Sequence, residues 1–123
     1  MTNTPKTILY VGNDAELSKA SSALLKKVGF RVRTTNPLNV ASVIRDVKVS
    51  AVILCATLSR EDADEAVDYA LSLQPGVPIV SVHLGLLGDG PHPASSVVVD
   101  ALQGPAALLG ALEAVTGMAA KAS

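Results

Sequence analysis

The chain alternates five short apolar runs with longer amphipathic stretches, and that alternation limits it to few architectures. Thr7 to Val11 (TILYV), Phe30 to Thr34 (FRVRT), Ala51 to Leu54 (AVIL), Pro78 to Val82 (PIVSV) and Val97 to Val99 read as strands. AVIL has no polar position, as a strand covered on both faces requires. In the second run Phe30 and Val32 lie on one side and Arg31 and Arg33 on the other.

Between the runs, apolar residues recur at helical spacing. The first stripe is Leu17, Ser21, Leu24, Leu25 and Val28, and the second is Val40, Val43, Ile44 and Val47. Ala63, Ala66, Val67, Ala70, Leu71 and Leu73 form the third, and Leu108, Leu109, Leu112 and Val115 the last. Stop and start signals agree with these stripes. Asn13, with Glu16 three residues on, matches a capping box, and Gly29 closes that helix. Asn36-Pro37 and Gly104-Pro105 place proline at a first helical position. Ser59 caps the third helix, with Asp62 three residues later.

Strands alternating with helices imply a parallel sheet with helices on both faces. The expected fold is α/β: a flavodoxin-like, doubly wound five-stranded sheet in the order 2-1-3-4-5. One domain spans residues 6–117, with flexible termini at 1–5 and 118–123. The fourth crossover departs from the pattern. Residues 84–96 read LGLLGDGPHPASS, with three Gly and two Pro. Inside a helix Gly costs about 1 kcal/mol and Pro about 3 relative to Ala, so this helix is expected to be shortened or missing.

Composition removes several functions. Net charge is −1 and the basic residues are scattered, the densest group being Lys26, Lys27, Arg31 and Arg33. Tyr10, Phe30 and Tyr69 are the only aromatics. Neither a basic footprint nor a stacking platform is present, so no nucleic-acid or membrane partner is expected. Cys55 is the single cysteine, which excludes an internal disulfide and a Cys-rich zinc site. The longest uncharged stretch, Tyr69 to Gly88, is broken by Pro75, Gly76, Pro78 and Gly85, and does not read as a membrane span. The N-terminus lacks the apolar run of a signal peptide, and the expected location is cytoplasmic.

From Lys6 to Val115 the chain resembles the receiver domain of two-component response regulators. The segments that carry the likeness are ILYVGNDAEL, LLKKVGFRVRTTN, VSAVILCATL, VPIVSVHL and VVVDALQGPAALLGALEAV. The resemblance implies an acidic pair after strand 1 that holds Mg²⁺, a phosphoacceptor Asp after strand 3, Thr or Ser after strand 4, and Lys-Pro after strand 5. Here the acidic pair falls on Gly12 and Asn13, with Asp14 next. The acceptor falls on Cys55 and the hydroxyl on His83. The lysine falls on Ala101 by counting, or on Gly104 by matching Lys-Pro to Gly104-Pro105. The family's aromatic switch falls on Val98 or Ala101. A shift of one residue would bring Asp14 or Asp100 to the pocket.

Mg²⁺ demands hard oxygen ligands. Gly12 has no side chain, Asn13 offers one neutral oxygen, and Cys55 a soft sulfur. The expectation is a pocket that has lost phosphotransfer, with no metal, no cofactor and no enzymatic activity. The implied function is that of a pseudo-receiver, a phosphorylation-independent interaction module in bacterial signal transduction. Its partner would be a protein of the pathway or a second copy of the chain.

Two other functions stay open. Cys55 and His83, at the ends of adjacent strands, invite a thiolate–imidazole redox sensor or enzyme, against the plainer reading of a buried Cys and a polar His. The strand-end crevice also invites a small-ligand or nucleotide site, although Gly12-Asn13-Asp14 is neither GxGxxG nor a P-loop. Asp14, Asp62 and Asp64 are read as first-turn residues serving helix dipoles rather than as a divalent site. His92, between two prolines, is expected to be exposed. Leu84, Leu86 and Leu87 either fold back over the sheet edge or form an apolar partner patch.

Overall fold

In the computed structural model, which describes residues 6–83 and 92–117, the strands form one parallel sheet in the order β2-β1-β3-β4-β5. The strands are β1 (Thr7–Val11), β2 (Arg31–Thr35), β3 (Ala51–Leu54), β4 (Ile79–His83) and β5 (Val97–Asp100). The helices are α1 (Ala15–Lys27), α2 (Val40–Asp46), α3 (Arg60–Leu73) and α4 (Pro105–Thr116). The flavodoxin-like order expected from the sequence is the one found.

Strand alternation divides the core in two. Ile8 and Tyr10 of β1, Ala51 and Ile53 of β3, Val80 of β4 and Val99 of β5 point to one face, where they meet Leu25 of α1 and Ala111 and Leu112 of α4. Leu9, Val11, Val52, Leu54 and Ile79 point to the other, against Val40 and Ile44 of α2 and Ala63, Ala66, Val67 and Ala70 of α3. The register sets Ile8 beside Ala51 and Val11 beside Leu54, so equivalent faces stay aligned. All four residues of β3 are buried, as its sequence required.

Most caps fall where the sequence put them. Ser59 accepts the Asp62 amide at 3.1 Å, and Asn36 accepts the Asn39 amide at 3.0 Å over a 3-10 turn, Pro37–Asn39, that leads into α2. Gly117 ends α4 in the left-handed region, at φ 70°. One cap differs. Asp14, not Asn13, caps α1, its Oδ1 accepting from Glu16 at 3.0 Å and Leu17 at 3.2 Å. The reason is that β1 pairing runs one residue further, through the Gly12 amide to the Thr35 carbonyl at 3.0 Å. Leu73, assigned to the apolar side of α3, is exposed at the helix end.

Residues 84–91, with Leu84, Leu86 and Leu87, lie outside the described residues. Residues 92–96 form no helix and are tied down strongly. His92 is not exposed as expected: its side chain is only 12% accessible. Nδ1 accepts the Ala94 amide at 3.0 Å, which leaves the proton on Nε2 to be donated to Asp64 Oδ1 at 2.7 Å. The Ser95 hydroxyl donates to the His92 carbonyl at 2.6 Å and bonds the buried Ser81 hydroxyl. Hydrogen bonds from His92 and Ser95 thus tie this segment to α3 and to β4, an arrangement that sequence spacing could not reveal.

Leu112 is fully buried and Leu102 is 79% exposed. Chemical denaturation is expected to show a loss of about 2–5 kcal/mol for Leu112→Ala and a change within about 0.5 kcal/mol for Leu102→Ala.

Candidate functional site

Parallel strands all end on one edge of the sheet, and ligand crevices of doubly wound folds form there. On this edge β1 gives way to Gly12, β3 to Cys55, and β4 and β5 finish at His83 and Asp100, which are in register.

Gly12 is buried, and a side chain there would be crowded. A Cβ there would lie 3.1 Å from Ser18 Oγ and 3.3 Å from both Cys55 Cβ and Tyr10 Cε1. Asn13 turns outward and donates from Nδ2 to Asp62 Oδ2 at 3.0 Å. Asp14 is spent on the α1 cap. Asp100 accepts the Leu102 amide at 2.9 Å, capping the 3-10 turn Ala101–Gln103. The strand end thus carries a carboxylate at Asp100, immediately before Ala101, one of the two positions assigned to the family's lysine. Gly104 opens α4 at φ 83°.

Cys55 is 5% exposed, and its amide donates to the Val11 carbonyl at 3.0 Å. Its Sγ lies 3.3 Å from Thr57 Oγ1. The Ser21 hydroxyl donates to Tyr10 Oη at 3.4 Å. Burial, with further contributions from the neighbouring Cys55 thiol and the nearby Asp14 charge, pushes the Tyr10 phenol well above its usual range. The pleat of β4 carries His83 to the face of Ser81, whereas Cys55 belongs to the cluster that holds Val80. The strands therefore do not present thiol and imidazole to each other.

Of the seven pocket residues taken from the sequence, five line two hollows among the described residues. Cys55, Ala101 and Gly104 line a cleft of about 450 Å³ between α1 and α4, with Leu17, Leu24 and Leu108. Gly12 and Asn13 line a separate hollow on the other side of α1, beside Lys19 and Lys26. Asp14 and His83 line neither. Asp62 and Asp64 are held by Asn13 and His92, respectively. Among the described residues no group of three or more His, Cys, Asp and Glu side chains is placed to hold a metal ion. The receiver fold's Mg²⁺ does not match this donor set: the positions offer a glycine, an amide bonded elsewhere and a thiol. No described helix is long and apolar enough to cross a membrane.

Sequence reading missed the grouping of Ser21, Tyr10, Cys55 and Thr57, because Tyr10 was read only as part of the apolar run TILYV. The one available signal was Ser21, a polar residue within an otherwise leucine-rich stripe.

Solved structures of the same fold are numerous. The BeF3-activated N-terminal receiver domain of Klebsiella pneumoniae RstA is 25% identical, covering 92% of this chain and all of that one, with a TM-score of 0.74. The receiver domain of a Pseudomonas aeruginosa sensor histidine kinase, with magnesium coordinated in its active-site cleft, is 19% identical. That match covers 94% of this chain and 100% of that one, with a TM-score of 0.76. The chemotaxis protein CheY4 of Vibrio cholerae is 15% identical over 91% of this chain and 99% of its own, at 0.75. No protein-family model and no curated protein matches the sequence. The chain has the fold of a response-regulator receiver domain.

Two measurements test this geometry. Replacing Asp14 by Ala should cost about 1 kcal/mol through loss of the α1 cap. For Tyr10, the raised folded-state value means that its contribution to stability is complete below the unfolded phenol value of about 10 and is lost as pH rises beyond it. In Tyr69→Phe, phenolate absorbance should therefore appear together with the loss of helical circular dichroism. Ionisation before unfolding would contradict the burial of Tyr10.

Proposed function

We propose that this chain is a phosphorylation-independent interaction module of bacterial signal transduction, built on the receiver fold. The observation that carries this reading is what occupies the strand-end positions. The acceptor position holds a buried thiol, Gly12 after β1 bears no carboxylate and is crowded by Ser18, Cys55 and Tyr10, and Asp14 and Asp100 serve as caps. Phosphoryl transfer needs positive charge against the transferring group, and the candidate lysine positions are Ala101 and Gly104.

The surface on which such a module would act is the β5 edge and α4. Val98 is 45% exposed on an edge strand, and Leu102 follows it. Ala106, Gly110 and Ala114 are exposed along α4, with Glu113 half-buried beside them. A helix face of small residues beside an exposed apolar edge suits contact with a partner protein or a second copy.

The test is incubation with acetyl phosphate and Mg²⁺, read by intact mass. The expected outcome is an unchanged mass, with Cys55→Ala giving the same result. A gain of one phosphoryl group on the unaltered chain would overturn the reading.

A further inference from the structure

The cleft between α1 and α4 has the dimensions of a small-molecule site: about 450 Å³, against a usual range of roughly 300–1,000 Å³. None of its lining residues is charged. Leu17, Leu24, Val82, Val99 and Leu108 make the walls, and Leu17 stays 40% exposed at the mouth.

One wall differs. Ser21, Tyr10, Cys55 and Thr57 come from α1, β1, the end of β3 and the loop after it, yet they lie together: the Ser21 hydroxyl donates to Tyr10 Oη at 3.4 Å, Cys55 Sγ lies 3.3 Å from Thr57 Oγ1, and the thiol neighbours the phenol. All four line the cleft. A wall needed only to fill space would be apolar throughout. Here hydroxyl and thiol groups meet in a row, facing leucine and valine. An apolar pocket with a few convergent polar groups is the common form of a small-molecule site.

Charge decides the class of occupant. A ligand anion or cation would lose its hydration without meeting a counter-charge, at a cost of several kcal/mol. Burial keeps the Tyr10 phenol neutral, so Tyr10 adds no charge to the wall in the physiological range. We propose that the cleft binds a neutral, mainly apolar small molecule, one of whose hydrogen-bonding groups seats on the Ser21–Tyr10–Cys55–Thr57 line. The inference is independent of phosphotransfer, because it rests on the lining alone.

The probes are phenol and its charged counterpart benzoate, added to the full ¹⁵N-labelled chain. Phenol should shift the amides of Ser21, Cys55 and Thr57, and benzoate should not. Because Cys55 is the only cysteine, its alkylation by N-ethylmaleimide gives a second readout by intact mass. Phenol at ten times its Kd should slow that reaction about tenfold. Ala101→Leu, which adds bulk to the lining, should weaken the phenol response at least as strongly as Ser21→Ala, with circular dichroism unchanged in both. Equal shifts with benzoate, shifts scattered away from the cleft, or an unaltered response in both variants would overturn the proposal. No response to phenol at any attainable concentration would also count against it.

Discussion

The structure depends on parallel pairing of strands whose side chains are buried on both faces. β3 cannot lose a layer: Ala51 and Ile53 complete one core, and Val52 and Leu54 the other. Because all five strands run the same way, each delivers its following residue to the same edge. What that edge can do is therefore decided by the residues at and just after the strand ends. Backbone pairing of the strands needs no particular side chain at Gly12, Cys55, His83 or Asp100, which is why a receiver fold is compatible with a strand end so poor in available carboxylates.

The two cores are built differently. α3 presents Ala63, Ala66 and Ala70 to the sheet, so its backbone lies close and its grip comes from many small contacts. The opposite layer uses larger residues, with Leu25, Phe30, Leu112 and Tyr10. Tyr10 brings a hydroxyl into that layer, and a buried hydroxyl must find partners. Ser21 donates to it, and the Cys55 thiol lies beside it. The polar line in the cleft thus begins as the satisfaction of one core residue and extends to Thr57 because the thiol lies at the strand end.

The sheet order, both helix layers and most caps were legible in the sequence because they rest on local signals: apolar period, glycine, proline and capping residues. β1 and β3 match the expected limits, whereas β2, β4 and β5 are displaced or extended by a residue, since strand ends are set by neighbours rather than by propensity. The same cause moved the α1 cap from Asn13 to Asp14. His92 was misread for a different reason. Its flanking prolines suggested exposure, but Asp64 lies 28 residues away and only the fold brings them together. The candidate site was legible as a set of altered residue types, not as a geometry. Counting could not tell that Cys55 and Gly12 border different hollows, or that β4's pleat sends His83 away from the thiol.

That geometry also explains why the altered positions are coupled rather than independent. A side chain at Gly12 meets Ser18, Cys55 and Tyr10 at once. An acidic residue there presses on all three, while Cys55 is fixed through its amide to Val11 and through its sulfur to Thr57. Exchanging Cys55 alone for a carboxylate would instead place a charge beside a buried phenol with no cation near, where desolvation opposes ionisation. Each single exchange thus meets a packing or charging penalty that only the others would relieve. The neutral strand end is held in place by its own packing, and its chemistry is set by that packing rather than by any one missing residue.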